Sequence, residues 1–270
     1  MIVFPPAKLN LGLQIIEKRD DGFHNLQTVF YQFPLNDVLE IIEDTTLNTG
    51  EFQLYTSGLS IPNGENLCEK AYNLLHKSYG LPGVRMYLHK VIPMGAGLGG
   101  GSSDAAYCLK VLNILFDLKL SKDELKTYAL SLGSDCPLFI EEGPQYAEGR
   151  GELLSQLTVD LKGKYLVLIN PKIYIPTSEA YENISPKTSD SCKHVVENDL
   201  RHWKADLIND FEPIMIKKHP ILSNIKDKLY LLGADYASMS GSGSTMFGIF
   251  SSPVSNVDWP ADYFVWQTSL

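Results

Sequence analysis

The stretch that decides the fold is Pro93-Met94-Gly95-Ala96-Gly97-Leu98-Gly99-Gly100-Gly101-Ser102-Ser103-Asp104-Ala105-Ala106, with five glycines in seven positions. Upstream, Val84, Met86 and Leu88 alternate with Arg85, Tyr87 and His89, the period-two pattern of a strand. Downstream, Ala105, Leu109, Leu112 and Leu115 or Phe116 recur at intervals of three and four, which predicts a helix with Ser102, Ser103 and Asp104 as candidate caps. The order is strand, glycine loop, helix. Glycines let backbone N–H groups converge on an oxyanion, and a helix start adds unpaired donors and the positive end of its dipole. The natural ligand of such a loop is a polyphosphate.

Other glycine loops fit less well. A P-loop of the form GxxxxGK[ST] matches Gly95 and Gly100, but Gly101 stands where the lysine is required. The dinucleotide pattern GxGxxG matches Gly95, Gly97 and Gly100, yet no later strand ends in an acid, and Asp117 lies in a polar turn before another helix. A merely tight turn has no use for three consecutive glycines followed by two serines.

Working outward, Leu9, Leu11, Leu13 and Ile15 alternate with Lys8, Asn10, Gly12 and Gln14, predicting a half-buried strand with Lys8 and Asn10 on its polar face. Arg19-Asp20-Asp21-Gly22-Phe23-His24-Asn25 has turn chemistry and reads as a loop carrying an aromatic ring and an imidazole. Residues 67–79 and 122–132 have helical spacing; the second helix stops at Gly133, and Ser134-Asp135-Cys136-Pro137 turns a tight corner. A strand begins at Tyr165, a Pro/Ser/Thr/Asn-rich stretch covers 171–191, and a helical region runs through Phe211. Ser240-Gly241-Ser242-Gly243-Ser244 is a second glycine-rich turn, leading into the apolar strand Met246 to Phe250. The reading places two domains at 1–155 and 156–270.

The 270 residues suffice for two cores, and 44% hydrophobic with 20% charged residues is the balance of a folded globular chain. A formal charge of −9 opposes broad binding to nucleic acid or anionic membranes, so any phosphate site is local. No apolar run approaches a membrane span, and the beginning MIVFPPAKLN lacks a signal pattern, so a cytoplasmic location is expected. Cys68, Cys108, Cys136 and Cys192 form no close pair and read as reduced thiols, Cys108 as core.

The glycine loop resembles the second motif of the GHMP kinase superfamily. Pro6-Ala7-Lys8-Leu9-Asn10-Leu11 is similar to its first motif and Ser240-Gly241-Ser242-Gly243-Ser244 to its third, all in order, and the match runs from about residue 5 to about residue 250. The resemblance implies an α+β, two-lobed fold, with an N-terminal lobe like ribosomal protein S5 domain 2 and a ferredoxin-like C-terminal lobe. It implies an ATP-dependent small-molecule kinase transferring the γ-phosphoryl group to an alcohol. Residues 93–103 would cradle ATP, Asn66 and Lys90 would stand on the adenine side, and Mg²⁺ would accompany the nucleotide, with Ser103 a match to one metal-binding serine of the superfamily and no second ligand apparent. Asp135 would orient the acceptor hydroxyl and take its proton, and Lys8 would neutralise the transferring charge.

Within the superfamily, Lys8-Leu9-Asn10-Leu11, residues 19–24, Leu132-Gly133-Ser134-Asp135-Cys136-Pro137 and Ile175-Pro176-Thr177 most resemble members whose acceptor is a sugar alcohol linked to cytidine diphosphate. That resemblance sets His24 against the base edge, Tyr181 on a base face, and Asn10 and Thr177 near polar groups of the substrate. Ordinary roles stand beside these: a solvated lysine for Lys8, turn or helix caps for Asp135 and Asn66, a strand-end charge for Lys90, a solvated imidazole for His24 and a packing ring for Tyr181. Other GHMP kinases, of homoserine or mevalonate type, and a GHMP-fold sensor that binds ATP without transfer are the rival readings. Residues 183–204 carry no family pattern, and the oligomeric state is left open.

Overall fold

The computed structural model describes every residue except 62, 63, 65, 183, 187–190, 256 and 257. In chain order the described elements are β1 (Ile2–Val3), β2 (Pro6–Lys18), β3 (His24–Asn36), β4 (Val38–Glu43), β5 (Phe52–Gly58), α1 (Leu67–Tyr79), β6 (Val84–Lys90), α2 (Gly100–Leu115), α3 (Lys122–Leu132), a 3-10 turn (Pro137–Ile140), β7 (Gln145–Glu148), β8 (Leu153–Gln156), β9 (Tyr165–Asn170), α4 (Thr177–Tyr181), α5 (Cys192–Val196), α6 (Leu200–Asp206), α7 (Glu212–Lys218), α8 (Ile221–Leu231), β10 (Tyr236–Met239), β11 (Met246–Phe250) and β12 (Phe264–Ser269). They form two compact units. One holds residues 1–7, 34–94 and 99–142; the other holds 8–33, 95–98 and 143–270.

The first unit is a four-stranded sheet, order β1-β4-β6-β5, with β5 parallel to β6 and the other pairs antiparallel. Helices α1, α2 and α3 pack on one another, and α2 lies against β4. The expected alternation of β6 is realised: Val84, Met86 and Leu88 are buried while Tyr87 and His89 are exposed. Helices α1 and α3 carry the cap chemistry of their flanking residues. Asn66 caps α1, its side chain accepting from the Cys68 N–H, and left-handed Gly80 ends it. Ser121 and Glu124 form a reciprocal capping box on α3. The four cysteines are free and buried, as expected for reduced thiols.

The second unit holds two sheets, β2-β3-β7-β8 and the antiparallel β10-β11-β9-β12. Helix α8 packs against β10 and β11. Leu13, Ile15, Val167, Ile169, Phe211, Met215, Ile225, Leu229, Met239 and Met246 share its core. At roughly 25 cal/mol per Å² of apolar area removed from water, such a cluster supplies the main drive for folding.

Two local expectations are corrected. Strand β2 is buried on both faces: Lys8, Asn10 and Gln14 are at most 4% exposed. Alternation alone cannot see this, because the polar face is covered by groups that pair with it rather than by water. Helix α2 begins at Gly100, earlier than the Ser102–Asp104 caps suggested, with Gly99 at its N-cap in the left-handed conformation and no side-chain cap. The helical region expected between residue 191 and Phe211 is two short helices, α5 and α6, a further short helix, α4, lies inside the 171–191 stretch, and residues 183 and 187–190, part of the stretch without family pattern, lie outside the described residues.

Candidate active site

Parts of the three sequence motifs, residues 8–11, 95–98 and 240–245, meet inside the second unit. The Lys8 N–H donates to the Leu98 carbonyl at 3.0 Å, and the Thr245 N–H reaches the Ala96 carbonyl at 3.4 Å. Ser240 Oγ accepts from the Asn10 N–H at 3.3 Å and donates to the Gly97 carbonyl at 2.9 Å. Gly97 has φ +75°, and a Cβ there would lie 2.0 Å from the Ser240 carbonyl oxygen. Only glycine permits that approach. Lys8 Nζ donates to Asn10 Oδ1 at 2.7 Å, and Asn10 Nδ2 donates to Thr28 Oγ1 at 3.0 Å. The ammonium also lies 5.1 Å from the centroid of the Phe30 ring. Lys8 is therefore a buried, oriented cation, and its solvated strand-edge role is excluded.

In the first unit, the loop runs into α2. The Ser103 N–H makes the first i→i−4 bond, to Gly99 at 2.9 Å, so the N–H groups of Gly100, Gly101 and Ser102 precede the helical ladder. With no side chain capping them, they form the donor set that an anion would fill. Ser103 Oγ is buried and has no hydrogen-bond partner among the described residues. A hydroxyl without a partner on the first turn of a helix whose leading N–H groups are uncapped fits a hard-cation ligand, while no group of three or more His, Cys, Asp or Glu side chains able to hold a metal occurs among the described residues.

The corner bearing Asp135 packs at the same helix start. Cys136 N–H donates to the Gly133 carbonyl at 3.1 Å, closing the turn. The Cys136 thiol is pushed up to about 11, chiefly by burial, with a hydrogen bond to Ser102 pulling the other way and Asp135 adding to the rise. Asp135 thus sits one residue from a side chain that touches α2's first turn.

Lys90, at the end of β6, is 2% exposed. Its Nζ donates to Asp104 Oδ2 at 2.6 Å and to Asp37 Oδ2. Burial lowers its pKa and the two carboxylates more than offset that, so it stays charged. Asp104 moves the other way: burial raises it to about 7, against the pull of Lys90 and with that of Asp37. Asn66 is the α1 cap described above, its Oδ1 2.8 Å from the Cys68 N–H.

His24 and Tyr181 stack with centroids 5.0 Å apart and planes 28° apart, and Tyr181 meets the Phe211 ring edge-on at 4.8 Å. The two rings singled out separately in sequence are one aromatic pair. Burial, with Lys18 nearby, holds the His24 imidazole below its ordinary 6.5, so it is neutral at pH 7. Thr177 Oγ1 lies 3.5 Å from Ser242 Oγ.

Two anchors of the Ser240–Ser244 turn escaped the sequence reading. Buried Asn209 donates to the Met239 and Gly241 carbonyls at 2.8 and 2.9 Å and accepts from the Phe211 N–H at 3.0 Å. Glu212 accepts from Ser238 Oγ and the Met239 N–H at 3.0 and 2.9 Å. The signal was the Asn209-Asp210 break ahead of Glu212-Pro213, where short polar side chains compete with the helix for backbone partners.

Residues 66–143 match the GHMP kinases N terminal domain and residues 196–257 the GHMP kinases C terminal domain, and the chain belongs to this family of ATP-dependent small-molecule kinases. It is 48% identical to the 4-diphosphocytidyl-2-C-methyl-D-erythritol kinase of Bacteroides fragilis and 46% identical to that of Bacteroides thetaiotaomicron, over 100% of both chains in each case. Among solved structures, a 4-(cytidine 5'-diphospho)-2C-methyl-D-erythritol kinase superposes with TM-score 0.79 at 33% identity, covering 92% of this chain and 90% of the other. A homoserine kinase from Cytophaga hutchinsonii gives TM-score 0.73 at 17% identity, covering 100% of this chain and 94% of the other, a likeness of fold. The mixed α and β architecture with N- and C-terminal GHMP domains is as the sequence implied. No helix among the described residues is long and apolar enough to cross a membrane.

Proposed function

We propose that this kinase phosphorylates the 2-hydroxyl of 4-diphosphocytidyl-2-C-methyl-D-erythritol with ATP, a step of non-mevalonate isoprenoid precursor synthesis. Full-length relatives at 46–48% identity carry that name, and one observation on this chain supports the acceptor most directly: His24 and Tyr181 stack as a pair. A neutral imidazole beside a phenol ring suits a pyrimidine, one face to stack on and one edge to hydrogen-bond. Homoserine and mevalonate offer no base to such a pair. Asn10 and Thr177 would meet polar groups of the same substrate.

Residues 93–103 would hold the triphosphate, with Asn66 and Lys90 on the nucleotide side. Asp135 would accept the hydroxyl proton as the bond to the γ-phosphorus forms, and Lys8 would offset the charge on the transferring group. Phosphoryl transfer asks a protein chiefly for such positioning and charge. Mg²⁺ would arrive with the nucleotide and neutralise its phosphate oxygens, with Ser103 Oγ as the protein ligand. The domain division near residue 155 belongs to this proposal; it falls between the two family matches.

The test is incubation with Mg·ATP and the cytidine-diphosphate acceptor, reading acceptor-dependent ADP. ADP release with this acceptor, and none with homoserine or mevalonate, is expected. Release with either of those alone would overturn the assignment.

A further inference from the structure

Three buried charges, Asp37, Lys90 and Asp104, lie where the loop leaves β6 and where it enters α2, and they pair with one another. Asp37 Oδ1 accepts the Val91 and Ile92 N–H groups at 2.6 and 2.9 Å, and Asp37 Oδ2 accepts from Lys90 Nζ. The same ammonium reaches Asp104 Oδ2 on the first helical turn. Around it the packing leaves little room. A Cβ on Gly100 would meet Ile92 Cγ2 at 3.0 Å and Lys90 Nζ at 3.3 Å, and a Cβ on Gly58 would lie 2.2 Å from the Lys90 carbonyl oxygen. One end of the loop is thus tied to the other by a carboxylate–ammonium–carboxylate strap, all within one compact unit.

A strap of this kind is a poor way to gain stability. Two buried carboxyl groups share one ammonium, and Asp104 Oδ1 has no hydrogen-bond partner among the described residues. Apolar side chains of similar volume would fill the space at less cost. What ion pairs supply and apolar contacts do not is a fixed distance and direction, and the segment whose spacing they fix is residues 91–104, which carries the phosphate donors.

We propose that Asp37 and Asp104, acting through Lys90, are positioning residues that hold the two ends of the glycine loop at the spacing its N–H groups need to meet ATP. The inference rests on the reading of residues 93–103 as the ATP loop. None of the three carboxylate or ammonium groups needs to touch the nucleotide for it to hold.

Asp37→Asn keeps the shape and the two backbone hydrogen bonds while removing the charge that grips Lys90. Asp104→Asn leaves the Asp37–Lys90 pair and removes the far end of the strap. Each variant is examined as the full chain for ATP dissociation constant by calorimetry, for KM of ATP and of the acceptor, for kcat, and for melting temperature. The expected result is an ATP dissociation constant raised at least tenfold in Asp37→Asn and less in Asp104→Asn, with acceptor KM within twofold of the parent. If Asp37→Asn does not fold, Asp104→Asn alone decides. ATP affinity within twofold of the parent overturns the proposal. So does a loss shared equally between ATP and acceptor in step with a lowered melting temperature, the mark of a merely structural cluster. Gly97→Ala separates the two layers: if it too leaves ATP binding untouched, the ATP-loop reading itself has failed, whereas weakened ATP binding there beside normal binding in both Asn variants sinks only the strap.

Discussion

Gly97→Ala perturbs the point where the glycine loop and the Ser240–Ser244 turn come closest. The left-handed conformation at φ +75° costs an L-residue about 1–2 kcal/mol. The added methyl would start 2.0 Å from the Ser240 carbonyl oxygen and has to open to at least 3.0 Å. Because that atom is backbone, no rotamer change relieves it. Moving it strains the Ser240 Oγ to Gly97 carbonyl bond at 2.9 Å and the Ser240 N–H to Thr245 carbonyl bond at 2.9 Å, each worth about 1 kcal/mol. The expected loss is therefore about 3–4 kcal/mol. For a chain of this size that lowers the melting temperature by roughly 6–16 °C. Gly101→Ala is the control: its nearest neighbour would be Leu67 Cδ1 at 3.8 Å, the position is helical, and stability should hold or rise by up to about 1 kcal/mol. Urea unfolding of both variants beside the parent reads the difference. A Gly97→Ala protein as stable as Gly101→Ala, with parental ATP affinity, would refute the packing of the loop on the third motif.

Asn209→Ala leaves the Met239 and Gly241 carbonyls and the Phe211 N–H without partners, so chemical denaturation should show a loss of about 2–3 kcal/mol and ATP should bind more weakly. His24, depressed below 6.5, stays neutral as pH falls past that value; its contribution to acceptor binding is present above 6.5 and fades only as pH drops through the lower, native value. Acceptor KM measured from pH 8 to pH 5 should be flat at first and then climb, and Lys18→Gln, by removing one cause of the depression, should move the climb to higher pH. Tyr181→Ala should raise acceptor KM roughly tenfold, by loss of base stacking of about 1–3 kcal/mol, with ATP KM unchanged.

Much of the fold was legible because the strongest signals were local. Gly95, Gly97 and Gly99 all take the left-handed conformation, and only a glycine-rich string provides that three times in five residues. The α1 and α3 spans followed from their helical spacing, with Asn66 as a candidate cap and Gly133 as a stop, while the Ser121–Glu124 box came only with the structure. What remained hidden was long-range. Whether Lys8 faced water or Asn10 could not be read from alternation, since a covered polar face and a wet one have the same pattern. The start of α2 was misplaced because serines cap helices more often than glycine does, and here the bare N–H groups are the useful feature. Asn209 and Glu212 were missed because their partners lie about 30 residues away, in a turn recognisable only by its own glycines. His24 and Tyr181, 157 positions apart, were each singled out by resemblance, and their stacking on one another had no signal in the chain.

At the centre of the account is a carboxylate that readies an alcohol for the γ-phosphoryl group held by the glycine loop. Asp135→Asn puts that to a direct test, with turnover and ATP affinity measured on the same preparation. Turnover should fall roughly 10²- to 10⁴-fold while ATP affinity stays within twofold of the parent. A variant that turns over at near-parental kcat would contradict it.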